Sequence, residues 1–420
     1  MRLEAVNRQL STVNNSYVKH KNMISTAQRL NGIGEYYFSG KLREIEKLNQ
    51  EGPKIISLGI GSPDQPPHPD VIRVLNEESI KPNAHSYQSY RGSPVLRKAM
   101  ADWYLQWYGV SLDPDREILP LAGSKEGIMH ICMTYINPGD LVLIPNPGYP
   151  TYQSAASLAG GSVSGYQLLE KDNWNPDFEE LKTLLAKKKP GQDWVLLFLN
   201  YPHMPTGQVA DKKLFEKFVA FAKENKVLLV HDNPYSFILN EEPLSLMSVD
   251  GARNQVIELN SLSKSHNMAG WRVGMLMASG ERIDEVLRFK SNMDSGMFLP
   301  VQLAAAKALS LPPSWYNQVN SIYRKRKLAA EALLDELGCR YSKKQAGLFV
   351  WARIPENVKN GFALSDLLLY NARVFITPGG IFGSGGNEYV RVSLCASEEN
   401  ILEGLARIKQ AGILKSVQHV

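Results

Sequence analysis

The chain has 420 residues, 44% hydrophobic and 21% charged, which is enough apolar material for a sizeable globular core. Its net charge of +5, from 47 basic and 42 acidic residues, comes without a long basic run and argues against a nucleic-acid partner. Cys132, Cys339 and Cys395 lie far apart and the 8 histidines are scattered, so free thiols are expected, with no disulfide framework and no metal site.

Residues 1–22 are polar and lack the roughly 7–15-residue apolar core of a secretory signal, so a mobile polar arm on a cytoplasmic protein is expected. No apolar run approaches the ~20 residues of a membrane-spanning helix. GEYYFSGKL (34–42) is rich in aromatics; it either folds over a site or anchors a surface helix. EILPLAG (117–123) reads as a strand and SKEGIMHICMTYI (124–136) as the helix that follows it. DLVLIP (140–145) and VLLFLN (195–200) are further strands. The turn-rich PHMPTGQ (202–208) then leads to DKKLFEKFVAFAKEN (211–225), where Leu214, Phe218, Phe221 and Ala222 share one helical face and Asp211 suits the helix start. KVLLVHD (226–232) returns as a strand, completing a β-α-β unit, so the sheet is expected to be largely parallel with right-handed crossovers. QVIELNS (255–261) and WRVGMLMA (271–278) extend it, and such contiguous apolar strands suit a sheet covered on both faces. Beyond residue 300 the pattern changes: a long helix over 301–337, interrupted near Pro312 and Pro313, then strands in GLFVWARI (347–354) and YVRVSL (389–394). A smaller domain is placed there. The expected division is an arm (1–22), a segment joining the small domain (23–55), a large domain (56–300) and the small domain (301–420).

Ligands of an open α/β sheet bind at the carboxyl ends of its strands. Asp232 ends KVLLVHD, Asn200 ends VLLFLN and Ser261 ends QVIELNS, with Lys264 three residues on. Ser124 follows EILPLAG at a helix N-terminus, where free N–H groups and the helix dipole favour a phosphate; Ser124 serving only as the helix cap is the alternative. Arg272, with Ser261, Ser263 and Ser124, would give that phosphate a bidentate clamp.

These residues stand in a recurring order. SLSKSHNMAGWRVG (261–274) resembles the lysine motif of the class I/II aminotransferases, the fold type I pyridoxal-phosphate enzymes. The resemblance continues through LGIGSPDQPPHP (58–69), HSYQSYRGSPVLRKAM (85–100), GSKEGI (123–128), PNPGYPTY (145–152), PTG (205–207), DNPY (232–235), FVW (349–351) and YVRVS (389–393). It implies an α/β fold: a large domain with a mixed, mostly parallel seven-stranded sheet between helices, and a smaller α+β domain. The implied cofactor is pyridoxal 5'-phosphate, bound to Lys264 as a Schiff base. Asp232 would pair with the pyridine nitrogen and Tyr235 with the phenolic oxygen, and Tyr149 would stack on the ring. Gly123, Ser124, Lys125, Ser261, Ser263 and Arg272 would surround the phosphate, Lys125 mainly through its backbone. Tyr87 resembles the tyrosine that reaches the phosphate of a neighbouring subunit in a homodimer with shared active sites. Arg391 resembles the arginine that grips the substrate α-carboxylate, and Gly61 the glycine lining the same pocket.

The implied activity is ping-pong transfer of an amino group from an L-amino acid to a 2-oxo acid, closest to the aspartate, alanine and LL-diaminopimelate branch. The same residues would serve a C–S β-lyase or a decarboxylase. A non-catalytic regulator would need an attached DNA-binding module, for which the residues ahead of the motifs leave little room. One position departs from the pattern: Met204 stands before Pro205-Thr206-Gly207 where the family has asparagine, and methionine has no donor. His203 and Asn200 are the nearby candidates to replace it. His266, in the lysine loop, reads as structural.

Overall fold

The computed structural model describes residues 24–413; the expected polar arm, 1–22, lies outside them. Residues 24–33 belong to a short unit of their own with one 3-10 turn, Gln28–Leu30, and the body of the fold runs from Gly34.

Its centre is a seven-stranded sheet. The strands are β2 (Ile118–Leu121), β3 (Leu141–Asn146), β4 (Ser162–Gln167), β5 (Val195–Leu199), β6 (Val227–Asp232), β7 (Val256–Ser261) and β8 (Gly274–Met277); β1 (Ile56–Ser57) lies outside this sheet. The spatial order is β2-β8-β7-β6-β5-β3-β4. Only β8 runs antiparallel to its neighbours; every other pair is parallel. The expected mixed, mostly parallel sheet is thus found.

The apolar runs form strands here because both faces are covered. Along β5, Val195, Leu197 and Leu199 join one buried cluster while Leu196 and Phe198 join the other. β6 divides in the same way, Val227 and Leu229 against Leu228 and Val230. Each such side chain contributes roughly 1.5–3 kcal/mol by leaving water. A polar pair interrupts one layer: His231 and Glu258 are register partners on β6 and β7, both fully buried, with Nδ1 2.8 Å from Oε2. The hydroxyls of Tyr104 and Ser245 and the amide of Leu246 also donate to Glu258, each at 2.8 Å, so this carboxylate is fully satisfied.

The helix between β5 and β6 is Lys212–Asn225, and Asp211 caps it by accepting from the Leu214 amide at 2.7 Å, as expected. The expected interruption near Pro312 falls between the helices Leu299–Leu309 and Pro313–Glu336. Among the described residues no helix is long and apolar enough to cross a membrane.

The last strands form separate sheets. β9 (Phe349–Arg353) and β12 (Tyr389–Ser393) pair antiparallel, with β11 (Thr377–Pro378) on the other edge of β12. β10 (Val374–Phe375) pairs in parallel with β1. The chain after β1 is held on both sides: the Leu58 amide donates to Phe375 O and the Ser393 amide to Leu58 O, both at 2.7 Å. Gly59 and Gly61 are thereby brought against the carboxyl ends of the main sheet.

Candidate active site

Where β5, β6 and β7 end, the chain encloses a cavity of about 590 Å³. Ser124, Lys125, Tyr149, Asp232, Tyr235, Ser261, Ser263, Lys264 and Arg272 line it, and so do Gly61 and Arg391. Two expected residues do not. Gly123 stands behind Arg272, and Tyr87 is 93% exposed on the surface.

Lys264 lies on a single helical turn, Leu262–Ser265, begun by Ser261, whose side chain accepts from the Ser263 amide. The Lys264 amine donates to Gly61 O at 2.5 Å. Burial pushes the pKa of that amine down, the neutral form costing less away from water. Asp232, on the last residue of β6, is buried, and its Oδ2 accepts from the Tyr152 hydroxyl at 2.9 Å. Its Oδ1 has no hydrogen-bond partner among the described residues. Burial raises the carboxyl to about 6; the Tyr152 bond and the charges of His231 and Lys264 restrain the rise. Tyr149 precedes the helix Pro150–Leu158, and its ring meets that of Tyr152 edge-on at 5.5 Å.

A corner suited to an anion lies at the start of the helix Ser124–Tyr135. The residue preceding that helix is Gly123, at φ 93°, and Ser124 is its first residue, so the reading of Ser124 as the cap is corrected. Only glycine is comfortable there: a Cβ on Gly123 would lie 2.1 Å from Arg272 Nη2. Gly274 leaves similar room, since its Cβ would come within 2.6 Å of the Ser124 amide. Arg272, at φ 58°, precedes β8 rather than entering it; Nη1 donates to Ala269 O at 2.9 Å. Ser261 Oγ and Ser263 Oγ are 2.9 Å apart. Lys125 borders this corner, with Nζ 4.9 Å from the centre of the Tyr36 ring.

Arg391, on β12, is 3% exposed. Its guanidinium lies 3.7 Å from the Phe349 ring centre and 4.6 Å from that of Phe382. Nη2 donates to Gly59 O at 2.9 Å, Nη1 faces Met204 Sδ at 3.2 Å, and Nε has no partner among the described residues. Burial lowers even this pKa to about 10, which leaves the group charged at neutral pH. Gly61 is fixed by the same wall, as a Cβ there would meet Phe349 Cζ at 2.4 Å.

The aromatic segment at 34–42 folds over this cavity: Tyr36, Phe38, Ser39 and Leu42 line it from the start of the helix Tyr37–Glu51. His266 is buried away from it, 2.9 Å from Ser265 Oγ and 3.1 Å from Tyr316 Oη, in keeping with a structural role. His203 is also turned away, its Nδ1 2.8 Å from Thr206 Oγ1, so it supplies no donor in place of the missing asparagine. Asn200 lines the cavity but is committed to backbone, donating to Asp232 O at 2.6 Å and accepting from the Met204 amide at 2.7 Å. Tyr152, Phe349 and Phe382 were not singled out from the sequence as site residues.

Outside the cavity, Glu126, His130 and Asp294 bring metal-ligand atom types together. The buried Lys290 ammonium already sits 2.6 and 2.7 Å from the two Asp294 oxygens, and His130 Nε2 lies 3.0 Å from Glu126 Oε1. The four side chains form a polar network.

The buried amine, the carboxylate oxygen and guanidinium Nε without partners among the described residues, and the corner at the helix start together suit a phosphorylated, nitrogen-containing cofactor and a carboxylate. A family model described as aminotransferase class I and II matches residues 53–408. An LL-diaminopimelate aminotransferase of Halothermothrix orenii is 38% identical over 392 residues, covering 93% of this chain and 99% of the relative. Transaminase BacF of Bacillus subtilis is 37% identical over 378 residues, 90% of this chain and 94% of the other. The substrate-bound structure of BacF from Bacillus subtilis superposes with a TM-score of 0.87 at 36% identity, covering 92% of this chain and 98% of that one. A single mutant of Thermus thermophilus aspartate aminotransferase matches at a TM-score of 0.84, 93% of this chain and 100% of the other, with 23% identity, a likeness of fold alone.

Proposed function

The chain belongs to the class I and II aminotransferases, and on that premise we propose that it moves the amino group of an L-amino acid to a 2-oxo acid, with pyridoxal 5'-phosphate held by Lys264. The observation that carries this reading is the set of groups facing one buried cavity: the Lys264 amine, the unpartnered Oδ1 of Asp232 and the unpartnered Nε of Arg391.

When bound, the cofactor supplies an aldehyde that exchanges amines and a pyridinium ring that spreads the electron pair left by the departing α-proton. Asp232 Oδ1 would accept the pyridine N–H and keep it protonated, which requires the ionised carboxylate. Tyr152 holds the other oxygen and so aims this one. The Ser124 amide, the Ser261 and Ser263 hydroxyls and Arg272 would hold the phosphate, with the helix dipole adding to their charge. Lys125 borders the same corner. Tyr149 would face the ring and Tyr235 would donate to its phenolic oxygen. Arg391 would bind the α-carboxylate, its flat guanidinium fixed by Phe349 and Phe382. The Lys264 amine, when free, would be suited to take and return the α-proton, because burial favours its neutral form. Gly61 O gives that amine a resting place. Tyr36 and Phe38 would exclude water above the reacting atoms.

The same reading divides the chain into a cofactor-binding part (56–300) and a smaller part (301–420), supported by the separate sheet of β9, β11 and β12. It also makes the functional unit a homodimer, in which the exposed Tyr87 reaches the partner's site. Two arms test it. Lys264→Ala should abolish the visible absorbance of the bound cofactor. A panel of amino donors with 2-oxoglutarate should give amino transfer without release of ammonia. Ammonia release in place of transfer would move the assignment to a lyase.

A further inference from the structure

Arg391 is a cation with an unfinished set of partners. Its five N–H donors lie in one plane. Nη2 is taken by Gly59 O, and the aromatic rings of Phe349 and Phe382 cover the faces. That leaves Nε–H, which shares its edge with Nη2, and the N–H groups of Nη1. Nε has no partner among the described residues, and Nη1 faces only a thioether, Met204 Sδ at 3.2 Å. Thioether sulfur is a weak acceptor with no charge.

The backbone of Met204 is fixed, because its amide donates to Asn200 Oδ1 at 2.7 Å. Its side chain is unbranched, with three rotatable bonds, and can leave without moving that backbone. Neither nearby candidate replaces the missing donor. Asn200 gives its amide to Asp232 O, and His203 lies outside the cavity.

We propose that Met204 sets the affinity of the carboxylate site: its thioether covers Nη1 of Arg391 until a substrate carboxylate displaces it, and the anion is then held with no donor from position 204. This rests on the reading of Arg391 as the carboxylate clamp. The consequence is loose holding of both acids that pass through the site. Such binding is felt equally by substrate and product, so it sets KM rather than the rate of the chemical step.

The test uses the cofactor-loaded enzyme and an unreactive carboxylate, 3-phenylpropanoate, titrated calorimetrically. Met204→Gln keeps the length of methionine and adds an amide donor; Met204→Asn adds a shorter one. Each should bind the probe about tenfold tighter than the parent, the effect of one added hydrogen bond to an anion. Met204→Leu, of similar bulk and without a donor, should stay within about threefold. KM for the amino donor and the 2-oxo acid should fall in parallel in the Gln and Asn variants. Two results would overturn the proposal. One is Gln and Asn variants that unfold at the parent's temperature yet bind no tighter; the other is a Leu variant that binds as tightly as they do. Failure of the transferase reading is separate: a parent that binds the probe but transfers no amino group loses that reading, while the role of Met204 stands or falls on the titrations.

Discussion

The hydroxyl of Tyr152 donates to Oδ2 of Asp232 at 2.9 Å, and this leaves the second oxygen of a carboxylate that lines the cavity without a partner among the described residues. Hydrogen bonding favours the ionised acid while burial disfavours it, and here burial wins, with the carboxyl raised to about 6.

Tyr152→Phe therefore raises that pKa further. The cofactor's pyridine N–H would pair with the carboxylate, so affinity for the cofactor is lost as pH falls through that pKa, and the acid limb of the cofactor-binding profile, read by absorbance titration of the stripped protein, moves to higher pH. A displacement of about one unit is expected, with a loss of roughly threefold just below neutrality that approaches tenfold below about pH 5. An acid limb that stays in place would show that Tyr152 does not tune Asp232.

Asp232 also sets a cost on the cofactor-free protein. Its carboxyl is raised from 3.8 to about 6 on folding, so its contribution to stability is fully present below the unfolded value and is lost as pH rises through the folded one. The loss is on the order of 3 kcal/mol. Asp232→Asn removes the buried charge, so the cofactor-free variant should melt a few degrees above the parent at pH 8, with no advantage at pH 4. Scanning fluorimetry at the two pH values reads this directly, and loading the cofactor should reverse the order at pH 8.

Gly123→Ala strains a backbone at φ 93° and drives a methyl group to 2.1 Å from Arg272 Nη2. The guanidinium must move, and the phosphate corner opens. Affinity for the cofactor should drop by roughly 10- to 100-fold, since charge-assisted bonds are worth about 1.5–3 kcal/mol each. Absorbance titration of the stripped protein measures it; unchanged affinity would remove Arg272 from the corner.

Arg391→Lys exchanges a flat fork stacked against Phe349 and Phe382 for a single ammonium. The bidentate contact and the stacking are both lost. KM should rise about 100-fold for the amino donor and the 2-oxo acid alike, with cofactor absorbance retained. Equal KM values in variant and parent would place the substrate carboxylate elsewhere.

Much of this architecture is legible in the chain, for physical reasons. The run from Val195 to Asp232 can be read because both strands are continuous apolar stretches buried on two faces and Asp211 caps the helix between them. Lys264, Asp232 and Ser261 stand at strand ends, where ligands gather in open sheets. Tyr152 was overlooked although a signal exists: it follows Tyr149 by about one helical turn, on the helix that opens beside the site. Phe382 carried no such signal. It lies in GGIFGSGG, where no periodicity operates, and its place over Arg391 follows from the docking of that run on residues 146–148. There the Gly148 amide donates to Phe382 O at 2.8 Å and the Gly385 amide to Asn146 Oδ1 at 3.0 Å. Sequence proximity misdirects at His203, which is adjacent to Met204 yet faces Thr206.

Arg391 binds the carbonyl of Gly59, a residue 332 positions earlier. On a ribosome, where chains emerge N-terminus first, Lys264 and Asp232 are made well before Arg391 and its neighbour Phe382. The half of the cavity that would take the cofactor is therefore complete in the growing chain while Gly59 still waits for its partner. Competence to grip an acid arrives with the final strand, so a chain released before residue 391 would lack it.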